Sequence, residues 1–187
     1  LLVAVFLQIE NVYAATVYYV DGASGAASDT NTGTESSPWK TLQKAASTLK
    51  AGDKVIVKAA IYRGDVVPAN SGTASAYIVY EAREGAIIDG AGIKINQKQY
   101  IEVNGFKVQN TSGEGIIVTG PNSKFINLKN NYTWNTGGSG IAVWGRAWGN
   151  DPAECNYECV TDILIEGIRI ERANNVKMNG GYNEHLT

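Results

Sequence analysis

The chain has 187 residues, which is enough for one domain with a substantial core. Its formal net charge is −2 and 18% of its residues are charged, a balance that argues against a nucleic-acid-binding surface and implies no particular partner. The composition includes 21 Gly and 4 Pro, which is typical of a β protein with many turns.

Segment 1–15 has features of a secretory signal peptide. Residues 1–7 form a short apolar run, and Ala14 and Ala15 supply small residues where a signal peptidase would cut. The run is too short to span a membrane. We therefore expect residues 1–15 to be a truncated signal peptide and the protein to be secreted, either extracellular or periplasmic. The alternative is that this run is an ordinary first strand.

Residues 16–52 are predicted to form a separate opening unit, which begins with a strand at Val17–Val20 and continues as a polar loop. Within that loop, residues 29–33 place oxygen-bearing side chains at alternate positions before a Gly, as calcium-binding loops do. The full calcium loop with its closing Glu is not present. A local turn made by Asx side chains is therefore the competing interpretation.

A helix is predicted to close this unit, with Ser37 as its N-cap, Pro38 at its first position and Gly52 after its end. Its apolar face is formed by four residues: Leu42, Ala45, Ala46 and Leu49. A single amphipathic helix in front of a stack of strands can cover the first strand edge, which would otherwise pair with other chains.

Residues 101–145 contain one sequence unit twice, and every matched pair of positions has the same separation as Ile101 and Ile126. Segment 101–106 (IEVNGF) matches 126–131 (INLKNN), and 115–120 (GIIVTG) matches 140–145 (GIAVWG). A unit that recurs at one fixed interval indicates a repeat architecture. Within each copy the apolar residues alternate over short runs separated by Gly and Asn, which predicts three strands and three turns per unit.

The repeat extends in both directions along the chain. Val55–Val57 precedes Ile101 by about two repeat intervals, and Ile78–Tyr80 precedes it by about one. Ile163–Ile168 follows Ile126 after a longer interval. That longer interval indicates an insertion between Trp144 and Thr161. One unit cannot bury its own apolar face, so neighbouring units must stack about 4.8 Å apart.

The predicted fold is therefore all-β: a right-handed parallel β-helix over residues 53–187, with a capping helix at its N-terminus. Residues 185–187 have the pattern of another strand that has only begun. We expect the helix to be incomplete at its C-terminus, the chain to be an N-terminal fragment, and the full-length protein to be a monomer.

Asn recurs at the predicted turns, at 104, 130 and 131 in the short turns and at 110 and 135 in the longer ones. Asn side chains stacked from coil to coil can pass hydrogen bonds along the helix, so we expect structural roles for them. Cys155 and Cys159 lie in the inserted loop, where a disulfide and two free thiols are both compatible with a secreted chain.

Several segments together resemble secreted right-handed β-helix proteins, many of which are polysaccharide lyases similar to chondroitinase B, alginate lyases and one class of pectate lyases. The segments that carry the resemblance are Tyr18–Asp21, Gly33–Thr34, Pro38–Ala45, Ala51–Val55, Ile61–Arg63, Ser71–Thr73, Tyr77–Tyr80 and Ile87–Gly90. The resemblance implies a secreted carbohydrate-active protein. Such lyases carry calcium ligands and a base on later coils, so calcium is an expected cofactor, with ligands that the motifs do not identify.

The same resemblance implies a substrate groove along the third strand of each coil. Because side chains alternate along a strand, one register can be laid on every coil. The residues predicted to point inward are Ile93, Ile95, Ile116, Val118, Ile141, Val143, Val176 and Met178. Those predicted to point outward are Lys94, Asn96, Ile117, Thr119, Ala142, Trp144, Lys177 and Asn179.

Substrate-binding residues are predicted along this outward row and on the loops beside it. They are Lys94, Asn96, Thr119, Trp144, Trp148, Asn179, Glu184 and His185. An indole on an open face can stack on a sugar ring, and cations suit an anionic, uronate-bearing polysaccharide. The alternatives are that Trp144 packs under the insertion, that the lysines are only solvated, and that His185 is structural.

A lyase would remove the proton α to a uronate carboxylate whose charge has been neutralised. In that reading Lys177 is the candidate base and Arg146 the candidate carboxylate partner. A glycoside hydrolase would need two carboxylates, for which Asp151, Glu154 and Glu184 are the available acids. A non-catalytic binding or adhesin-like β-helix is the third alternative.

Overall fold

A computed structural model describes residues 14–145 and 160–174 of the chain. Fourteen strands and one short helix occupy these residues, and every strand pairing between them is parallel. From Ile78 onward, successive strands go to three different sheets in turn, so the chain winds as a helix of β-strands. The all-β prediction is confirmed. No helix in the described ranges has the length and apolar character needed to cross a bilayer.

We name the sheets by the position of their strands within a coil. The first-strand sheet contains β1 (Val17–Val20), β2 (Lys54–Val57), β4 (Ile78–Ala82), β7 (Gln99–Asn104), β10 (Ser123–Lys129) and β13 (Val160–Glu166). The second-strand sheet contains β3 (Ala60–Tyr62), β5 (Ala86–Asp89), β8 (Lys107–Gln109), β11 (Tyr132–Thr136) and β14 (Arg169–Ala173). The third-strand sheet contains β6 (Ile93–Asn96), β9 (Ile116–Thr119) and β12 (Ile141–Trp144).

The core is a column of aliphatic side chains that runs through all the coils. In the first-strand sheet Ile78 pairs with Ile101, Ile101 with Ile126, and Ile126 with Ile163. Ile101 and Ile126 are fully buried. The repeat interval read from the sequence is therefore the length of one coil, and matched residues lie one above the other.

One predicted alignment is displaced along its strand. The sequence pattern aligned Val55 with Ile101, whereas Val55 pairs with Tyr80, and Tyr80 pairs with Val103. The displacement from Ile101 to Val103 is one full strand period, which keeps the same side chains on the same face. Val55 is consequently buried, as a member of the repeat should be.

The third-strand sheet has the predicted register. Ile116 pairs with Ile141 and Val118 with Val143. Ile116 and Val118 are fully buried, but Val143 is 39% exposed, contrary to the prediction that it lies in the core. β12 is the outermost described strand of its sheet, so among the described residues Val143 has a neighbouring strand on one side only.

The helix α1 (Leu42–Thr48) begins later than the sequence predicted. Its N-cap is Thr41, whose side chain accepts a hydrogen bond from the Lys44 amide, and not Ser37. The helix also ends at Thr48, well before Gly52. Its predicted apolar face is confirmed, since all four of its residues are buried: Leu42, Ala45, Ala46 and Leu49.

Asp29 connects the polar loop to the start of this helix. Its Oδ1 accepts hydrogen bonds of 2.9 Å from the amides of Lys40 and Thr41, and its Oδ2 accepts one of 2.7 Å from Thr41 Oγ1. Partial burial raises the pKa of the Asp29 carboxyl, but the hydrogen bonds from Thr41 and Lys40 outweigh it and hold that pKa below its usual value. Residues 29–33 thus include a long-range structural anchor.

The predicted hydrogen bonds between stacked Asn side chains are confirmed. Asn130 Nδ2 donates to Asn104 Oδ1 at 3.1 Å, and Asn135 Nδ2 donates to Asn110 Oδ1 at 2.8 Å. Asn131 differs from these four because its side chain points into the core and is 1% exposed. It occupies the position of Phe106 one coil earlier and bonds to the backbone of that coil.

We predict that Asn131→Ala lowers the free energy of unfolding by about 2–4 kcal/mol, measured by urea denaturation. Asn131 Oδ1 accepts from the buried Phe106 amide and its Nδ2 donates to the Val103 carbonyl, both at 3.0 Å, and the variant leaves both groups unpaired. Asn127→Ala is the control, since Asn127 makes one long side-chain bond on the outer face and should cost less than about 1 kcal/mol. Equal losses in the two variants would contradict the account.

Two buried tyrosines should respond in opposite ways to removal of their hydroxyl groups. Tyr62 Oη accepts from the Gly22 amide at 3.2 Å and donates to the Lys58 carbonyl at 2.8 Å. Tyr80 Oη is buried and has no hydrogen-bond partner within the described part of the chain. We expect Tyr62→Phe to lower the free energy of unfolding by about 1–2 kcal/mol and Tyr80→Phe to leave it unchanged or raise it. A loss in Tyr80→Phe as large as in Tyr62→Phe would show that this hydroxyl is bonded.

Candidate functional site

The outer face of the third-strand sheet carries two rows of side chains that run along the helix axis. One row is Asn96, Thr119 and Trp144, which pair directly across β6, β9 and β12. Neighbouring strands lie about 4.8 Å apart, so this row extends over about 10 Å. The register therefore brings three of the predicted substrate-binding residues together.

The row is open at its first member. Asn96 is exposed, whereas Thr119 and Trp144 are half-buried. Gly120 allows the Asn96 side chain to lie against the next coil, because a Cβ at Gly120 would come within 2.2 Å of Asn96 Oδ1. Gly120 also has φ +85°, a backbone conformation that favours glycine.

Lys94 belongs to the second row and is engaged in an ion pair. Its Nζ lies 2.5 Å from Asp65 Oδ2, and Asp65 Oδ1 accepts from the Gly92 amide at 3.0 Å. Partial burial raises the pKa of the Asp65 carboxyl, but the Gly92 amide and the Lys94 ammonium outweigh it and hold that pKa below its usual value. Lys94 therefore lies on the predicted face with its charge balanced by a partner that the sequence pattern did not indicate.

The middle of the second row differs from the prediction. Ile117 pairs with Lys94, and Ala142 pairs with Ile117, on the outer face as the register requires. Both were expected to be open to solvent. They are only 8% and 5% exposed. The second row is thus open at Lys94 and closed at Ile117 and Ala142. Alternation along a strand gives the face on which a side chain lies, but not the residues that cover it.

A polar cleft of about 180 Å³ lies at the start of the third strands. Lys94, Asp65 and Glu114 contribute its charged side chains, and Gly92 and Gly113 contribute backbone. Sequence reasoning missed Asp65 and Glu114 because both lie outside the strands, where no periodicity assigns a direction. Their position beside the ends of β-strands was the only signal that could have found them.

The remaining predicted site residues lie outside the described ranges. They are Arg146, Trp148, Asp151, Glu154, Lys177, Asn179, Glu184 and His185, together with Cys155 and Cys159 of the insertion. Within residues 14–145 and 160–174, no three His, Cys, Asp or Glu side chains are grouped as ligands of a metal ion. The calcium prediction therefore stays a prediction.

Solved structures with this fold include three whose names identify carbohydrate-related enzymes. The GH136 lacto-N-biosidase from Eubacterium ramulus is 16% identical at a TM-score of 0.68, with 84% of this chain and 34% of that protein covered. A rhamnogalacturonan lyase is 20% identical at a TM-score of 0.54, with 83% and 51% covered. An alginate lyase from Paenibacillus sp. str. FPU-7 is 20% identical at a TM-score of 0.50, with 69% and 54% covered.

These similarities show that the fold is shared. The chain spans about a third of the lacto-N-biosidase and about half of each lyase. No curated protein matches the chain significantly in sequence.

A family model described as Pel9A-like, right handed beta helix region, matches residues 18–160. The matched part includes the capping helix, the three described strands of the third-strand sheet and the segment predicted to be the insertion. The right-handed sense of the predicted β-helix is thereby confirmed. The chain belongs to the Pel9A-like right-handed β-helix family.

Proposed function

We propose that the chain is part of a secreted polysaccharide lyase that cleaves a uronate-containing polymer by β-elimination on the outer face of the third-strand sheet. The family and the named lyases with this fold support an activity on polysaccharides. We also propose that residues 1–15 are a signal peptide. The full-length protein is then an extracellular or periplasmic monomer.

The observation that carries the proposal is the row of Asn96, Thr119 and Trp144. An indole, a hydroxyl and an amide follow one another at the spacing of the strands, on one face and in one line. A half-buried indole offers a flat apolar surface to a sugar ring, and the two polar groups can bond to its hydroxyls. A linear polymer lying along the helix axis would meet the three in succession.

In β-elimination a base removes the proton at the carbon next to the uronate carboxylate. The electron pair released forms a carbon–carbon double bond and expels the glycosidic oxygen, which takes up a proton. The carboxylate must be neutralised for the intermediate charge to be tolerable. We assign Lys177 as the base and Arg146 as the carboxylate partner, and calcium, when bound, would supply further neutralisation.

A glycoside hydrolase is the second candidate, and the described residues favour it less. Hydrolysis requires two carboxyl groups flanking one glycosidic bond. The outward residues of the three described strands of the third-strand sheet include no carboxylate: Lys94, Asn96, Ile117, Thr119, Ala142 and Trp144. A hydrolase on this face would have to use carboxylates outside the strands, either Asp65 and Glu114 of the cleft beside Lys94 or Asp151, Glu154 and Glu184.

We predict that incubation of the protein with uronate polymers produces unsaturated sugars, detected by ultraviolet absorbance, with or without added calcium. The double bond formed in elimination absorbs in the ultraviolet, and hydrolysis does not create it. Release of reducing ends without absorbance would contradict the lyase proposal and favour the hydrolase. Retention on an affinity gel without any cleavage would favour the binding protein.

We predict that Trp144→Ala and Asn96→Ala each weaken binding of a uronate oligosaccharide by about fivefold, which corresponds to about 1 kcal/mol per lost contact. Binding is measured by calorimetric titration. The matched control is Asn127→Ala, an outward Asn of the first-strand sheet, which should leave affinity unchanged. Unchanged affinity in both test variants would remove the third-strand row from the site.

A further inference from the structure

The outer face of the second-strand sheet has an excess of positive charge, although the chain as a whole is acidic. Its five strands contain three cations and two carboxylates, and Arg63 follows β3 directly. Arg63 Nη1 lies 3.0 Å from Asp89 Oδ2, and Arg169 forms an ion pair with Glu171. Lys107 and Arg172 remain, and neither has a carboxylate within ion-pair distance among the described residues.

Each of these two cations lies over an aromatic ring. Lys107 Nζ is 5.4 Å from the centre of the Tyr132 ring, and the Arg172 guanidinium carbon is 5.6 Å from the centre of the Trp134 ring. A cation–π contact orients a cation without neutralising its charge. Tyr132 is itself fixed, because its hydroxyl donates to Glu171 Oε2 at 2.8 Å. The two charges are therefore held in place and remain available to an anion.

The turn beside Trp134 presents an unused hydrogen-bond acceptor. Asn135 Nδ2 donates to Asn110 Oδ1 at 2.8 Å, and Asn110 Nδ2 donates to Asp89 Oδ1 at 2.7 Å. Every donor in this chain of amides points toward Asp89, so Asn135 Oδ1 at the other end has no partner among the described residues. Asn135 Oδ1 can accept a hydrogen bond from a hydroxyl group of a ligand.

An open cleft of about 310 Å³ lies at this end of the amide chain. Asn110, Asn135 and Arg172 line it from three successive coils. All three have positive φ, at 56°, 52° and 52°. Asn adopts this conformation readily and Arg does not, so Arg172 occupies a strained backbone position at the mouth of the cleft.

We propose that the outer face of the second-strand sheet is a second polysaccharide-binding surface, separate from the third-strand face, that takes a carboxylate-bearing sugar chain. Arg172 and Lys107 bind carboxylates, and Asn135 Oδ1 accepts a hydrogen bond from a sugar hydroxyl at the cleft. The uronate class of ligand rests on the proposed function, whereas the site itself rests on the charges, rings and cleft described above.

The spacing of the two cations predicts a preference for polymers. Lys107 in β8 and Arg172 in β14 are separated by two strand spacings, or about 10 Å along the helix axis. A single uronate sugar can contact either Lys107 or Arg172, whereas an extended chain can contact both. Once one contact has formed, the second forms at high effective concentration. A nucleic acid also carries repeated negative charges and is the competing ligand class.

The test is a titration of the ¹⁵N-labelled full chain with a galacturonate hexamer, followed by NMR. The Trp134 indole N–H, the Arg172 Nε–H and the Asn135 side-chain amide report on the proposed surface. The Trp144 indole and the Asn96 amide report on the third-strand face. Galacturonate monomer, a neutral glucose hexamer and a single-stranded DNA hexamer are titrated in parallel.

We expect the galacturonate hexamer to shift the Trp134, Arg172 and Asn135 signals and to bind more tightly than the monomer, the neutral hexamer or the DNA. Arg172→Gln and Lys107→Gln should each weaken this binding by about five- to tenfold, the value of one charge-assisted contact. The control Arg83→Gln also removes one positive charge, from an exposed Arg beside the first-strand sheet. It should change the affinity for the galacturonate hexamer by less than about twofold.

The results separate this proposal from the proposed function. Shifts confined to Trp144 and Asn96 would overturn the second surface and leave the proposed function intact. Shifts confined to Trp134, Arg172 and Asn135 would support the second surface and contradict the third-strand site. No shift at either face would overturn both, and equal binding of DNA, or equal weakening by Arg83→Gln, would overturn the assignment to a sugar chain.

Discussion

The structure depends on one constraint, which is that each coil buries its apolar face only against the coils next to it. Ile101 and Ile126 are fully buried because Ile78 and Ile163 lie on either side of them in the same column. Val143, on the last described strand of its sheet, has a neighbouring strand on one side only among the described residues and is exposed. Stability in such a fold is a sum of contacts between neighbours, and the direction of every outward side chain follows from the same stacking.

The turns must satisfy the same constraint, because one bulky side chain in a turn would separate two coils. Gly105 has φ +79°, and a Cβ there would lie 2.9 Å from the Ala82 carbonyl oxygen of the preceding coil. In the next coil Asn130 takes this position with φ 53° and bonds to Asn104. Gly105 and Asn130 occupy this column for one reason: both adopt left-handed backbone, and neither holds the coils apart.

The sequence was sufficient to predict the repeating coils and the register of the third strands. It was not sufficient to predict which residues from distant parts of the chain contact them. A regular repeat with alternating apolar positions was sufficient to predict that Ile93 and Ile95 of β6 and Ile116 and Val118 of β9 face the core. It also placed Asn96, Thr119 and Trp144 in one row. The alignment of Val55 was displaced by one strand period because neighbouring apolar positions of the same face give equally good matches.

The contacts that connect distant parts of the chain were not predictable from local pattern. Thr41 and not Ser37 caps the helix because Asp29, far back in the polar loop, fixes Thr41 in place. Lys94 meets Asp65 from a different coil, and nothing near either residue in the sequence indicates the pair. The burial of Ile117 and Ala142 was likewise not predictable from local pattern. Alternation along a strand gives the face on which a side chain lies, but not the residues that pack over it.

The most direct test of this account is to measure the register of the third-strand sheet by NMR in the full chain. Stacked coils predict cross-strand nuclear Overhauser effects between the backbone protons of β6 and β9 around Asn96 and Thr119, and between β9 and β12 around Thr119 and Trp144. Effects that connect Thr119 to residues shifted by one position, or no cross-strand effects at all, would contradict the stacking on which both proposed binding faces rest.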